Sequence, residues 1–170
     1  GEDGRRWTLR LRSGLKFHDG EPVRAQDVTA SLARWGKRDT YGFALFAALD
    51  ALSSASDDPI VFRLQQPFPT LPALLGKPGT NMPCIMPARL AGTAPFKPVP
   101  EVVGSGPFRF LASERVPGSL AVYEKFAGYV PRQEPTDFLS GGKTAFVDRV
   151  EWRTMPDPAT AAAALQAGEI

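Results

Sequence analysis

Apolar and polar residues alternate along Trp7 to Arg12, with Trp7, Leu9 and Leu11 on one side and Thr8, Arg10 and Arg12 on the other. That period of two predicts a half-buried strand. Ser13-Gly14 interrupts it, and Lys16-Phe17-His18-Asp19-Gly20 reads as a short extended piece ending in an Asp-Gly turn. From Ala25 the period lengthens. Val28, Leu32 and Trp35 fall at i, i+4 and i+7, one face of a helix that Gly36 ends. Between Tyr41 and Leu52 the pattern is weakest: Phe43, Phe46 and Ala47 suit a helix to about Ala48, and Leu49, Ala51 and Ser53 suit an outgoing strand. Asp57-Asp58-Pro59 predicts a turn, and Ile60, Phe62 and Leu64 alternate against Val61, Arg63 and Gln65 as a strand antiparallel to the one before it.

Pro67 stops that strand. The pattern then predicts a short helix over 70–75, a proline-interrupted stretch over 77–87 and one helical turn over 88–91. Gly104-Ser105-Gly106-Pro107 leads into a strand over 108–115, Pro117-Gly118 turns the chain, and 120–124 returns as its partner. The polar, Gly- and Pro-rich segment 128–143 reads as a surface excursion. Alternation over 146–154 predicts a further strand with Val150 and Trp152 inward. The last element carries the clearest end signals: Asp157 as N-cap, Pro158 at the first helical position, alanine-rich Ala159 to Ala167, and Gly168 just past the end. So much alanine predicts close packing on something flat, most simply the preceding sheet.

Composition narrows the function. The 170 residues suffice for one domain or a piece of a larger one, 43% of them are hydrophobic, and the formal charge is +2. Near-neutral charge and the lack of a basic stripe with interleaved aromatics argue against a nucleic-acid binder. The early arginines Arg5, Arg6, Arg10 and Arg12 read as a solvated strand face. No apolar run approaches the roughly 18–20 residues of a membrane span. One cysteine, Cys84, and one histidine, His18, exclude an intramolecular disulfide and a Cys/His zinc site. Gly104-Ser105-Gly106 is not a phosphate loop, since Pro107 removes a donor N–H and the following residues read as strand. Ser105 also lacks the flanking pattern of a nucleophile elbow. Tyr41 and Phe43, straight after Arg38-Asp39-Thr40, are either core or a recognition surface, and Asn81 is either a ligand contact or a turn cap.

Several segments resemble one family. The run Trp7-Thr8-Leu9-Arg10-Leu11-Arg12-Ser13-Gly14-Leu15-Lys16-Phe17-His18-Asp19-Gly20-Glu21-Pro22, with Ala25-Gln26-Asp27-Val28, is similar to the signature of the extracytoplasmic solute-binding proteins of ABC importers, in the peptide/nickel class. Asp58 to Leu64 with Gln66-Pro67-Phe68 resembles the family's strand and Pro-Phe corner. Gly104-Ser105-Gly106-Pro107-Phe108 resembles its Gly-x-Gly-Pro-Phe link. Val147-Asp148-Arg149-Val150 and the Leu165-Gln166-Ala167-Gly168-Glu169-Ile170 end resemble its later strand and helix. Lys125-Phe126-Ala127-Gly128-Tyr129 stands where the family has Asn-Pro-x-Tyr-Trp.

The resemblance implies an α/β (mixed α+β) fold with a mixed sheet, hairpins and packed helices, part of lobe I of a two-lobed, class II periplasmic-binding-protein-like architecture. Residues 7–103 would form the extra subdomain of lobe I and 104–170 part of its core sheet with the C-terminal helix, with lobe II absent from this chain. The implied function is capture of a peptide or similar small polar solute for an ABC permease in the membrane. The implied protein is a monomer, periplasmic or lipid-anchored outside the cytoplasmic membrane, with no nucleic-acid partner, no cofactor, no metal and no catalytic residue. Tyr41 matches by place and residue type the aromatic that touches the peptide in oligopeptide binders, and Arg38, Phe43 and Asn81 complete the expected ligand set. Two alternatives stand beside this: a hydrolase using Ser105 or Cys84 with His18, and a ligand-sensing module of a receptor.

Overall fold

Two antiparallel three-stranded sheets organise the chain, one on either side of Gly104. The computed structural model describes residues 2–54, 59–138 and 140–170. The turn expected at Asp57-Asp58 lies outside the described residues.

The first sheet contains β1 (Arg6–Leu9), β2 (Leu49–Ser54) and β3 (Ile60–Leu64) in the order β1-β3-β2. The central strand buries Ile60, Phe62 and Leu64, and Phe62 lies opposite both Trp7 and Leu52. Helix α1 (Ala25–Trp35) packs on β2 and β3 and presents Val28, Leu32 and Trp35 to them, as its spacing predicts. Helix α2 (Thr40–Ala48) follows and runs directly into β2. Its Leu45 and Ala48 join the core, along with Leu71 and Leu74 of the short α3 (Leu71–Leu75). A single turn, α4 (Ala88–Ala91), packs against α1.

Glycine lets α1 and α2 meet. A Cβ on Gly42 would stand 2.9 Å from the Gly36 Cα and 3.1 Å from the Trp35 carbonyl oxygen, and one on Gly36 would strike the Phe46 ring. The two helices therefore abut through bare backbone.

The second sheet contains β4 (Phe108–Phe110), β5 (Leu120–Lys125) and β6 (Arg149–Arg153), in that order. Helix α5 (Pro158–Gln166) closes the chain. Asp157 caps it by accepting the Thr160 N–H at 2.9 Å, and Gly168 takes the left-handed conformation just past its end (φ 71°).

Five expectations need correction. The first strand stops at Leu9, because Leu9 pairs with Ile60, where β3 begins, and no ladder continues through Leu11 and Arg12. The strand expected over 108–115 ends at Phe110, and residues Ala112–Glu114 form a 3-10 turn instead. The strand expected over 146–154 is shorter, Arg149–Arg153, since its partner β5 ends at Lys125. Trp152 is not inward: it is 69% exposed, set opposite the small Ala121 with no described element over it. The alanine-rich α5 likewise buries only Ala164 fully and leaves Leu165 exposed, so its close packing on the sheet is not seen.

Candidate functional site

The residues expected to touch a ligand cluster around the C-terminal end of α1 and the start of α2. Local chemistry sets both ends. Asp27, at the third position of α1, accepts the Arg24 N–H at 2.8 Å and, across the fold, the Ala88 N–H at 2.7 Å, which ties α4 to the first turn. Ser31 and the Met86 backbone exchange two hydrogen bonds of 3.0 Å. The buried Arg34 spends its guanidinium on the carbonyls of Thr93, Ala94 and Lys97, pinning that loop to the helix.

Asp39 is the N-cap of α2. Its carboxylate accepts the Tyr41 N–H at 2.9 Å and the Gly42 N–H at 3.3 Å, and it meets the Lys77 ammonium at 2.6 Å. The hydrogen bond from Lys77, helped by those two backbone donors, holds the Asp39 carboxyl below the usual range although its burial pushes the other way. The same ammonium lies over the Tyr41 ring, 5.1 Å from its centroid.

Two separate clefts open here. One, of about 500 Å³, runs between α1 and the proline-interrupted segments 81–86 and 97–102, and Arg38 and Asn81 line it. The other, of about 650 Å³, lies beside α3 and is lined by Tyr41, Leu74 and Lys77. Phe43 lines neither and is exposed on α2. Arg38 donates to the Pro95 carbonyl at 3.0 Å and lies over the Phe96 ring. Asn81 takes the left-handed conformation (φ 57°) in a turn, and its carbonyl accepts the Trp35 indole N–H at 2.6 Å. The structure thus places Arg38 with Asn81 and sets Tyr41 apart from them.

His18 does something the sequence did not suggest. Its backbone N–H donates to the Gly104 carbonyl at 2.8 Å, the Gly104 N–H donates to Nδ1 at 3.3 Å, and Nε2 lies 3.0 Å from the Gly106 carbonyl. A backbone N–H can only donate and a carbonyl can only accept, so this network assigns the neutral tautomer with its proton on Nε2. Phe126 stands edge-on against the ring at 5.1 Å between centroids. The histidine is a clip that joins the turn closed by the Lys16–Pro22 bridge to the Gly-x-Gly link.

That arrangement leaves the hydrolase alternative without support. No imidazole lone pair remains to accept a proton from Ser105, and desolvation pushes the Cys84 thiol up, away from the thiolate a nucleophile needs. Among the described residues no group of three or more His, Cys, Asp or Glu side chains is placed to hold a metal, and no helix is long and apolar enough to cross a membrane.

Comparison with known proteins defines the class. Over residues 1–170 the chain matches the model of the middle part of the bacterial extracellular solute-binding proteins, family 5, and it belongs to that family. Among curated relatives it is 41% identical, over 99% of its length, to the "Probable peptide ABC transporter periplasmic-binding protein y4tO" of Sinorhizobium fredii. It is 32% identical, over 98% of its length, to the glutathione-binding protein GsiB of Pectobacterium atrosepticum. The chain spans about a third of each, 32% and 30% of their lengths. Among solved structures, the periplasmic binding protein AgaA of A. tumefaciens R10, in complex with agropinic acid, superposes with a TM-score of 0.71 at 26% identity, covering 100% of this chain and 32% of that one. The mixed α/β fold is therefore that of part of a periplasmic binding protein.

Proposed function

We propose that this chain is part of lobe I of an extracytoplasmic solute-binding protein, and that the whole protein captures a peptide or similar small polar solute for an ABC permease in the membrane. The observation that carries the reading is the family match along all 170 residues, shared with relatives named for peptide and glutathione binding. Residues 7–103 form the extra subdomain of the lobe and residues 104–170 part of its core sheet. Arg38, Asn81, Tyr41 and Phe43 touch the solute, the first two from one cleft and Tyr41 from the other. The protein is a monomer, periplasmic or lipid-anchored, binds no nucleic acid and leaves its solute chemically unchanged. Closure of two lobes on a ligand needs no nucleophile or acid–base pair, and it turns occupancy into a shape that a membrane partner reads.

A thermal-shift screen of the full-length gene product tests this against peptides, glutathione, opines, Ni²⁺–histidine complexes and sugars. A true solute at a hundred times its Kd stabilises by about 2.7 kcal/mol, enough for a clear rise in Tm. A flat response across the panel, or mass-spectrometric detection of a product formed from the bound solute, overturns the reading.

A further inference from the structure

The cleft against α1 has an unusual balance of charge. Arg34, Arg38 and Lys97 line it, and among the described residues no acidic side chain does. The carboxylates nearest along the chain are committed elsewhere. Asp27 accepts the N–H groups of Arg24 and Ala88, Asp39 is paired with Lys77, and Glu101 is paired with Arg89. Arg34 is only 9% exposed, yet all its partners are carbonyl oxygens. Those three bonds engage both terminal guanidinium nitrogens without cancelling the charge, and a buried charge is ordinarily balanced by an opposite one.

The rest of the lining is apolar. Trp35, Met82, Met86, Val99 and Val102 face the same space, and the Trp35 indole N–H is already bonded to Asn81. Methionine adapts to differently shaped apolar partners. The volume of about 500 Å³ lies within the range of small-molecule sites.

We propose that this cleft binds a carboxylate-bearing solute with an apolar body, its carboxylate at the Arg38 and Lys97 end and its body over Trp35, Met82 and Met86. The inference draws Arg38 and Asn81 from the ligand set above and so rests on that reading, while naming the chemistry that the set selects. Arg34 supplies long-range positive potential from behind, and Arg38 and Lys97, both exposed, make the direct contacts.

Methyl-¹³C methionine NMR on the full-length gene product tests it. Met82 and Met86 report from inside the cleft, and Met155 lies outside its lining as an internal reference. The first two are assigned by Met82→Leu and Met86→Leu. The probes are hexanoate, phenylacetate and N-acetyl-leucine, each set against an uncharged or cationic counterpart such as hexanol and hexylammonium. The expected result is saturable movement of the Met82 and Met86 methyls with a still Met155, at least about tenfold tighter binding of the carboxylates, and weakening with added salt. In Arg38→Gln/Lys97→Gln the preference should shrink to within about twofold. If none of the three carboxylates moves the cleft methyls saturably, or if hexylammonium binds as well as hexanoate, the proposal is wrong. A solute that raises Tm in the screen above while leaving Met82 and Met86 unmoved overturns the cleft assignment and leaves the solute-binding reading standing.

Discussion

Replacing His18 with alanine removes one clip and nothing else of size. The side chain makes two hydrogen bonds, with the Gly104 N–H and the Gly106 carbonyl, and one edge-on contact with Phe126. Each partly buried neutral hydrogen bond contributes about 1 kcal/mol net, and the aromatic pair adds about 0.5–1.5 kcal/mol. The backbone bond from the His18 N–H to the Gly104 carbonyl survives the change. We therefore expect His18→Ala to cost about 2–4 kcal/mol, read as a fall in the urea midpoint and, at roughly 2–4 °C per kcal/mol for a chain of this size, a drop in Tm of about 5–15 °C. Solute affinity, measured by calorimetry below the new Tm, should hold within a few-fold, since His18 lines neither of the clefts beside α1 and α2. Long-range ¹⁵N–¹H spectra at alkaline pH should show the proton on Nε2. A loss under about 0.5 kcal/mol, or a proton found on Nδ1, would falsify the clip.

Gly42→Ala sets a methyl carbon 2.9 Å from the Gly36 backbone and should cost about 1–3 kcal/mol in thermal or urea unfolding, whereas the exposed Ala44→Gly should cost under about 1 kcal/mol; equal effects would refute the backbone-contact account. The Asp39–Lys77 pair makes stability depend on acid pH. The folded carboxyl sits below its unfolded value of about 3.9, so its contribution is whole above that pH and fades as pH falls through the folded value. Asp39→Asn keeps a good N-cap and removes the charge, so it should flatten the acid limb of a stability–pH curve, and an unchanged limb would assign it to other carboxylates. Phe62→Ala empties the centre of the first sheet and should cost about 3–5 kcal/mol; a cost near 1 kcal/mol would mean that the site collapses freely.

Elements defined by their own local pattern were legible. Val28, Leu32 and Trp35 mark α1, Asp157, Pro158 and Gly168 mark α5, and Ile60, Phe62 and Leu64 mark the central strand of the first sheet. What depends on a distant neighbour was not. Trp152 alternates like an inward residue, but alternation says only that a strand has two faces, and nothing in residues 146–154 tells whether one is covered. Leu11 and Arg12 continue a strand pattern for which β3 offers no partner. The ligand residues were legible as types and not as places. Arg38 and Tyr41 are three apart in the chain, yet they line different clefts because the first turn of α2 intervenes. The roles of the buried Asp27, Arg34 and Asp39 across the fold were not legible, because the distant partners that define them, Ala88, Lys97 and Lys77, sit 38 to 63 residues away.

The uneven distribution of fully buried apolar side chains carries a consequence for how the molecule comes apart. The core cluster draws all its members from residues 25–74, whereas the second sheet and α5 together bury only Val122 and Ala164. The amide protons of β3 should then exchange with deuterium only in the rarest openings, and those of β5 and β6 in much commoner ones, so the polypeptide would shed its structure in two stages instead of one.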